Sequence, residues 1–214
     1  FRSPKYEFVF SALKDSTTLP LTFIKTDDIP RLVKDAYGKY DFVIQSRMDF
    51  DDFIFKDAVA DTQNKIHECD NILAYGYCKG YAYVCDDLRF YYQTWGGKGH
   101  PMILQSLILK SSFAKAVPLI ILRNSHTEIK AIIKKFLEDN NMEFWEKMFQ
   151  QNTSTTAFIY FRHEGSHFNL VNSNGKSIES RFQRRKKVTD KDGITKKQLE
   201  EEFGFTGYEL KSIK

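Results

Sequence analysis

Tyr40-Asp41-Phe42-Val43-Ile44-Gln45-Ser46 runs directly into Arg47-Met48-Asp49-Phe50-Asp51-Asp52. The first segment is short, β-branched and aromatic, and it follows the turn former Gly38, which predicts a buried strand rather than a helix. The second places three carboxylates within four residues at that strand's end. Ligands of open α/β sheets bind beyond the carboxyl ends of such strands. Oxygen donors at i and i+2 suit a hard divalent ion, magnesium or manganese, which substrate phosphates typically share. Asp49, Asp51 and Asp52 would repel one another, and Arg47 alone cannot balance them. A purely structural reading stands beside this one: Asp51 or Asp52 caps a helix beginning near Ile54 and binds nothing.

Working outward, the order is α/β at first. Tyr6 to Ser11 and Leu21 to Lys25 read as strands, and Ile29 to Tyr37 as a short helix with Pro30 in its first turn. After the acidic run a helix is expected around Phe55 to His67. Asn71 to Trp95 then reads as antiparallel strands with turns near Lys79-Gly80 and Asp86-Asp87. In the loop Trp95-Gly96-Gly97-Lys98-Gly99-His100-Pro101, glycines permit close backbone approach and Lys98 and His100 offer phosphate or acceptor contacts, but no phosphate-loop spacing is present. A surface turn explains the loop equally. Met102 to Leu109 and Val117 to Leu122 should be buried. Thr127 to Phe149 reads as a helical pair, with Ile129, Ile132, Ile133 and Phe136 at helical spacing and a break at Asp139-Asn140-Asn141. Ala157 to Arg162 reads as a final strand.

The division expected is a catalytic-type domain over 1–170 and, over 171–214, a basic linker with a short helical appendage. The linker carries Arg181-Phe182-Gln183-Arg184-Arg185-Lys186-Lys187, and a charged helix is expected near Thr195 to Phe203. With 214 residues and a net charge of +4, the chain can bury a sizeable core and its basicity is local. Such a patch suits anionic lipid, nucleic acid or an acidic polysaccharide, or it is a solvated linker. No run reaches the roughly 20 apolar residues of a membrane span, and no signal peptide is visible. The chain begins at Phe1 and its first methionine is Met48, so a piece of a longer product is expected. Cys69, Cys78 and Cys85 lack paired spacing, which argues against a disulfide framework or a zinc site and for a reducing, cytoplasmic setting. Most of the aromatic side chains clustered between Tyr75 and Trp95 are expected in the core.

Arg47-Met48-Asp49-Phe50-Asp51-Asp52, followed by a helix, Gly76-Tyr77, Pro101 with Ser106, and Ser125-His126-Thr127, resembles the rhamnosyltransferase-like group of bacterial glycosyltransferases with the GT-A fold. The likeness covers approximately Leu19 to Phe136, with a weaker continuation through Phe161-Arg162-His163. It implies an α/β fold, a GT-A-like nucleotide-sugar-binding sandwich whose mixed sheet is flanked by helices, with a small C-terminal α-rich appendage. It implies a nucleoside-diphosphate sugar as donor, a glycan or lipid-linked acceptor, and a role in bacterial surface polysaccharide synthesis, in the cytoplasm or at the inner face of the membrane, with no nucleic acid as partner. Carried over by residue, Asp49 would lie near the ribose and diphosphate and Arg47 would steady the acids. Lys98 is a further donor-binding candidate. Asp51 and Asp52 would hold the Mn2+ or Mg2+ ion, completed by His126 as a late ligand, with His163 or His167 competing for that role.

His126 has a second reading as a helix-start residue, because Ser125 and Glu128 make a capping box, and a helix N-terminus also favours phosphate. His163 and His167 stand four apart, but Gly165 weakens a helical face between them. For the base that accepts the acceptor's proton, Asp86 and Asp87 are candidates, and they read equally well as a hairpin turn.

Two other functions compete. A phosphatase of the haloacid dehalogenase type would use Asp49 and Asp51 as nucleophile and acid, against which stand Phe53 and the two residues Arg47 and Met48 after the strand. A nucleic-acid-binding module would use the basic tail, although the acidic run repels phosphate and no binding motif accompanies it. A helix-loop-helix calcium loop fails because Phe53 occupies a ligand position and no glycine follows.

Overall fold

The computed structural model describes residues 26–48, 52–84, 89–94, 103–116, 129–143, 145–162 and 195–203. They form a mixed six-stranded sheet with helices on both faces. Helix α1 (Ile29–Lys39) has Pro30 in its first turn and buries Val33 and Tyr37, one helical turn apart on one side. Strand β1 (Phe42–Arg47) forms where the sequence predicts a strand, but it stands at the end of the sheet order and is not the buried strand expected: Gln45 is its one buried residue, and Tyr40 before it is exposed.

Asp52 does not cap a helix. It opens the short strand β2 (Asp52–Ile54), and helix α2 (Ala58–Asn64) begins later, after Asp57, running into a 3-10 turn at Lys65–Glu68. β2 pairs with a distant strand, so a tertiary contact overrides the local capping signal.

Strand β3 (Ile72–Val84) is continuous through Lys79-Gly80, where a turn was expected. Gly80 serves close approach instead: a methyl group there would overlap the carbonyl oxygen and the ring of Phe158 on the neighbouring strand. Strand β4 (Arg89–Thr94) pairs with the second half of β3, and β5 (Ile103–Lys110) pairs with the first half. Helix α3 (Ser111–Ala116) follows β5.

Helix α4 (Ile129–Asp139) ends at the break the sequence indicates. Asn141 takes a left-handed φ of 55°. Its N–H bonds to the carbonyl of Glu138 at 3.0 Å and that of Met142 to the carbonyl of Leu137 at 2.8 Å, with Met142 packed against the same cluster as Leu137. This is the Schellman arrangement that satisfies the last carbonyls of a helix. Among the described residues of this region the second expected helix is not formed. A 3-10 turn at Glu146–Met148 leads into β6 (Phe149–Arg162), which starts eight residues before the expected Ala157 because Ala74 to Tyr77 of β3 pair with Phe149 to Asn152 in parallel. Helix α5 (Lys196–Phe203) carries a reciprocal cap, with Thr195 N–H on Gln198 Oε1 and Gln198 N–H on Thr195 Oγ1, both 3.1 Å. It buries Leu199 and Phe203, and Lys56 N–H bonds to the carbonyl of its Glu202.

The sheet order is β1-β5-β3-β6-β2, with β4 also on β3. One face carries Ile72, Ala74, Leu107 and Leu109 against Val33 and Tyr37 of α1, Ala114 of α3 and Ile129, Ile133 and Leu137 of α4. The other carries Leu73 and Ile108 under the 3-10 turn, and Tyr75, Tyr77, Phe158 and Tyr160 beside Ala58 of α2. Burial of these apolar side chains is the dominant stabilising term.

The sheet is curled. Arg47 and Asp52 are five residues apart in sequence, which the chain can span over at most about 18 Å. Four strand spacings separate β1 from β2, and the levels of Arg47 and Asp52 differ by about six residues along β3. On a flat sheet that makes roughly 27 Å. Three register irregularities flank β3, their extra residues lying on β5 and β6; at one of them two steps on β6, Thr156 to Phe158, face one on β3, Lys79 to Gly80. Three steps on β5, Ile103 to Ser106, face two on β3, Tyr75 to Tyr77. Four steps on β6, Asn152 to Thr156, face two on β3, Tyr77 to Lys79. Extra residues of this kind bend a strand and increase its twist.

The expected strands at Tyr6 to Ser11 and Leu21 to Lys25, the run Val117 to Leu122, the 95–101 loop and the basic stretch 181–187 lie outside the described residues.

Candidate functional site

At the carboxyl end of β1, Arg47 stands opposite Gln105 and Ser46 opposite Ser106, with the two serine Oγ atoms 2.7 Å apart. Arg47 is half-buried, Gln105 is buried, and one residue before Gln105 lies Leu104 with a left-handed φ of 47°. A leucine held in that region costs about 1–2 kcal/mol and persists only where the surroundings fix it. Here the fixing is supplied by its burial with Tyr75 and Tyr77 and by the extra residue of β5. Strained bulges are over-represented beside active sites.

Asp52, at the head of β2, is only 6% exposed and pairs in register with Tyr160. Burying a carboxylate is costly unless hydrogen bonds or opposite charge offset it. Of the residues singled out in the sequence, Arg47 and Asp52 are therefore located, at the two ends of a short crossing from β1 to β2. Asp49, Asp51, Asp86, Asp87, Lys98, His126, His163 and His167 lie outside the described residues. Among the described residues no three His, Cys, Asp or Glu side chains gather as a metal site.

At the level of Ser46 and Ser106, one polar row crosses the sheet on the α2 side. Ser106 stands opposite Tyr75, and directly paired residues project to the same face. Tyr75 and Tyr77 both donate to Oδ2 of Asp61 on α2, at 2.7 Å and 2.6 Å. Asn152 Nδ2 donates to the Tyr75 oxygen at 3.0 Å. Its Oδ1 accepts from the N–H groups of Ser154 and Thr155 at 3.1 and 3.0 Å, so the same side chain closes the bulge of β6. Lys65 lies over the Tyr75 ring, 5.4 Å from its centre.

Burial pushes the Tyr75 phenol up to about 12, and the Asp61 carboxylate, which prefers the neutral donor, pushes in the same direction. Tyr77 is raised further for the same reasons. Both phenols thus stay protonated donors, and the network is a clamp joining α2, β3 and the β6 bulge. Sequence reading missed it. Its only local signal is the alternation Tyr75-Gly76-Tyr77, which places both rings on one face; Asp61 comes from a separate helix. Burial also pushes the Cys69 and Cys78 thiols up to about 11, so neither is a ready nucleophile at neutral pH.

No protein-family model, no curated protein and no solved structure matches the chain.

Proposed function

We propose that this chain is a metal-assisted glycosyltransferase of GT-A type, moving a sugar from a nucleoside-diphosphate donor to a glycan or lipid-linked acceptor in bacterial surface polysaccharide synthesis. One observation carries the reading. β1 ends at Arg47 in a mixed sheet with helices on both faces, and the residues that follow it are Met48-Asp49-Phe50-Asp51-Asp52. Clustered carboxylates suit a divalent ion shared with a diphosphate.

Asp51 and Asp52 would offer oxygen donors that fit Mn2+ or Mg2+, with Asp49 towards the ribose and diphosphate. A bound ion would supply charge stabilisation for the departing nucleoside diphosphate. In this reading Arg47 balances the acids, and the clamp of Asp61, Tyr75 and Tyr77 holds α2 against the sheet, as a precise site requires. Lys98 would reach the donor, His126, His163 or His167 would complete the metal shell, and Asp86 or Asp87 would take the acceptor's proton.

No helix among the described residues is long and apolar enough to cross a membrane. On the same reading the protein works in the cytoplasm at the inner face of the membrane, with the basic 181–187 stretch facing anionic lipid.

The test is calorimetric titration with nucleoside diphosphates and nucleotide-sugars, with and without Mn2+, on the wild type and on Asp51→Ala. Manganese-dependent binding of one nucleotide, lost in Asp51→Ala, is the expected result. Absence of nucleotide binding by the folded wild type overturns the proposal.

A further inference from the structure

A cleft of about 290 Å3 opens where the chain enters β3 and β6, lined among others by Glu68, Asp70, Asn71, Trp145, Lys147 and Met148. It is remote from Arg47, where β1 ends. Ile72, at the cleft, stands opposite Leu109, which stands opposite Val43 near the start of β1; the acidic run follows Arg47, at the other end of that strand. The two ends are about 13 Å apart along the strand direction alone.

Trp145 is 51% exposed, although burial rewards an indole more than almost any other side chain. The 3-10 turn that follows brings Trp145 and Met148 to one side, with the Met148 N–H bonded to the Trp145 carbonyl at 2.9 Å. Met148 packs against the core, and Trp145 remains at the cleft wall.

The charges around it are already balanced. Lys147 pairs with Asp70 at 2.9 Å and Lys65 with Glu68 at 2.6 Å. The Lys65 ammonium, with Gln150, holds the Glu68 carboxyl below its ordinary value, and Lys147 does the same for Asp70, so both acids are ionised at neutral pH. Paired acids do not call for a cation, and two carboxylates repel an anion. What remains is the exposed indole of Trp145 in a cleft that also carries the Asp70–Lys147 pair and Asn71. Hydroxyl groups both donate and accept, and a pyranose presents an apolar C–H face with hydroxyls at its edge. The volume, at the lower end of small-ligand sites, suits a unit of sugar-ring size.

We infer that this cleft is a binding site for a neutral saccharide, with the Trp145 indole stacked on a sugar ring and the Asp70–Lys147 pair and Asn71 bonded to its hydroxyls. The inference goes beyond the transferase reading and does not depend on it, because binding here requires neither metal nor nucleotide. Were both correct, the cleft would grip an acceptor glycan away from its reacting end.

The test uses Trp95→Phe, in which Trp145 is the only indole of the chain. Its emission is titrated, without metal or nucleotide, against neutral oligosaccharides of glucose, mannose, galactose and rhamnose, with oligogalacturonate and chitosan oligomers as charged comparators. A saturable emission change with a neutral oligosaccharide is expected. In calorimetry on the otherwise unaltered chain, Trp145→Ala should weaken that binding at least about tenfold, since stacking and its buried area are both lost. Asp70→Ala, whose side chain is 80% exposed and carries little of the fold, should weaken it several-fold. No binding by any neutral oligosaccharide, equal affinity in both variants and the wild type, or preference for either charged oligomer overturns the inference. A failure here with nucleotide binding intact leaves the transferase reading standing, and the converse also holds.

Discussion

Removing the Asp61 carboxylate tests whether the two-tyrosine clamp holds the helix-to-sheet contact. In Asp61→Ala the phenols of Tyr75 and Tyr77 lose the acceptor they share at 2.7 Å and 2.6 Å. Hydrogen bonds to a charged group contribute about 1.5–3 kcal/mol each, and the lower end applies because Asp61 keeps one side towards solvent. Tyr77 has a fallback in the carbonyl of Ala58 at 3.3 Å, whereas Tyr75 is left with Asn152, whose amide can only donate to it. The loss should therefore be about 3 kcal/mol. Tyr75→Phe and Tyr77→Phe keep their edge-on ring contacts, at 5.3 and 5.4 Å, and should cost about 1–2 kcal/mol each. In the double phenylalanine background the carboxylate has no phenol to hold, so Asp61→Ala should cost no more than about 0.5 kcal/mol, as surface changes do. The coupling is then about 2.5 kcal/mol, within the range found for side chains in direct contact. Urea unfolding followed by circular dichroism reads all of these, provided the denaturant slope stays constant. An equal cost for Asp61→Ala in the wild-type and double-phenylalanine backgrounds would refute the clamp.

Alkaline unfolding gives a second view of the same groups. The Tyr75 phenol is raised from 10.0 to about 12, so its contribution is complete below pH 10 and is lost as pH rises from 10 to 12. The stability of the wild type should fall by up to about 1.4 kcal/mol per pH unit for each such phenol across that window, and the fall should be correspondingly shallower in the double phenylalanine variant. Parallel curves for the two proteins, with tyrosinate absorbance recorded alongside, would contradict the assignment. At Gly80, a methyl group would meet the backbone oxygen and ring of Phe158, neither of which can retreat far within a paired strand. Gly80→Ala should cost about 3 kcal/mol and lower Tm by roughly 6–12 °C; a calorimetric Tm within a degree of the wild type would show that β6 yields freely.

Local signals carried the parts of the fold that depend on local chemistry. β1 was legible because Phe42-Val43-Ile44 has no helical alternative of that length, and α1 because Pro30 starts it and Val33 and Tyr37 share a face. The end of α4 was legible because Asn141 accepts a left-handed φ more readily than most residues. The first half of β6 was not. Gln150-Gln151-Asn152-Thr153-Ser154-Thr155 has no apolar alternation, and its strand state is imposed by the parallel partner β3, whose own residues lie some 75 positions earlier. Trp145 was lost with it, absorbed into an expected helix when it borders a cleft.

The features that bend the sheet are the ones periodicity reads worst, and they are also what brings the candidate site together. Leu104 looks like one more apolar residue of a buried run, yet its φ of 47° and the extra residue beside it turn β5 away from β3 at Tyr75–Tyr77. Asn152 looks like a polar residue in a loop, yet it closes the opposite bulge and bonds to Tyr75 at the same level. With both edges of β3 displaced there, the strand carries two differently oriented halves of one sheet, and Arg47 and Asp52 come within the span of the five-residue connection that the sequence allows. The acidic run was visible in the sequence as chemistry. That its two ends belong to strands four places apart follows only from the sheet order, and the curl that lets a short connection join them goes with the irregularities of β5 and β6 on either side of β3.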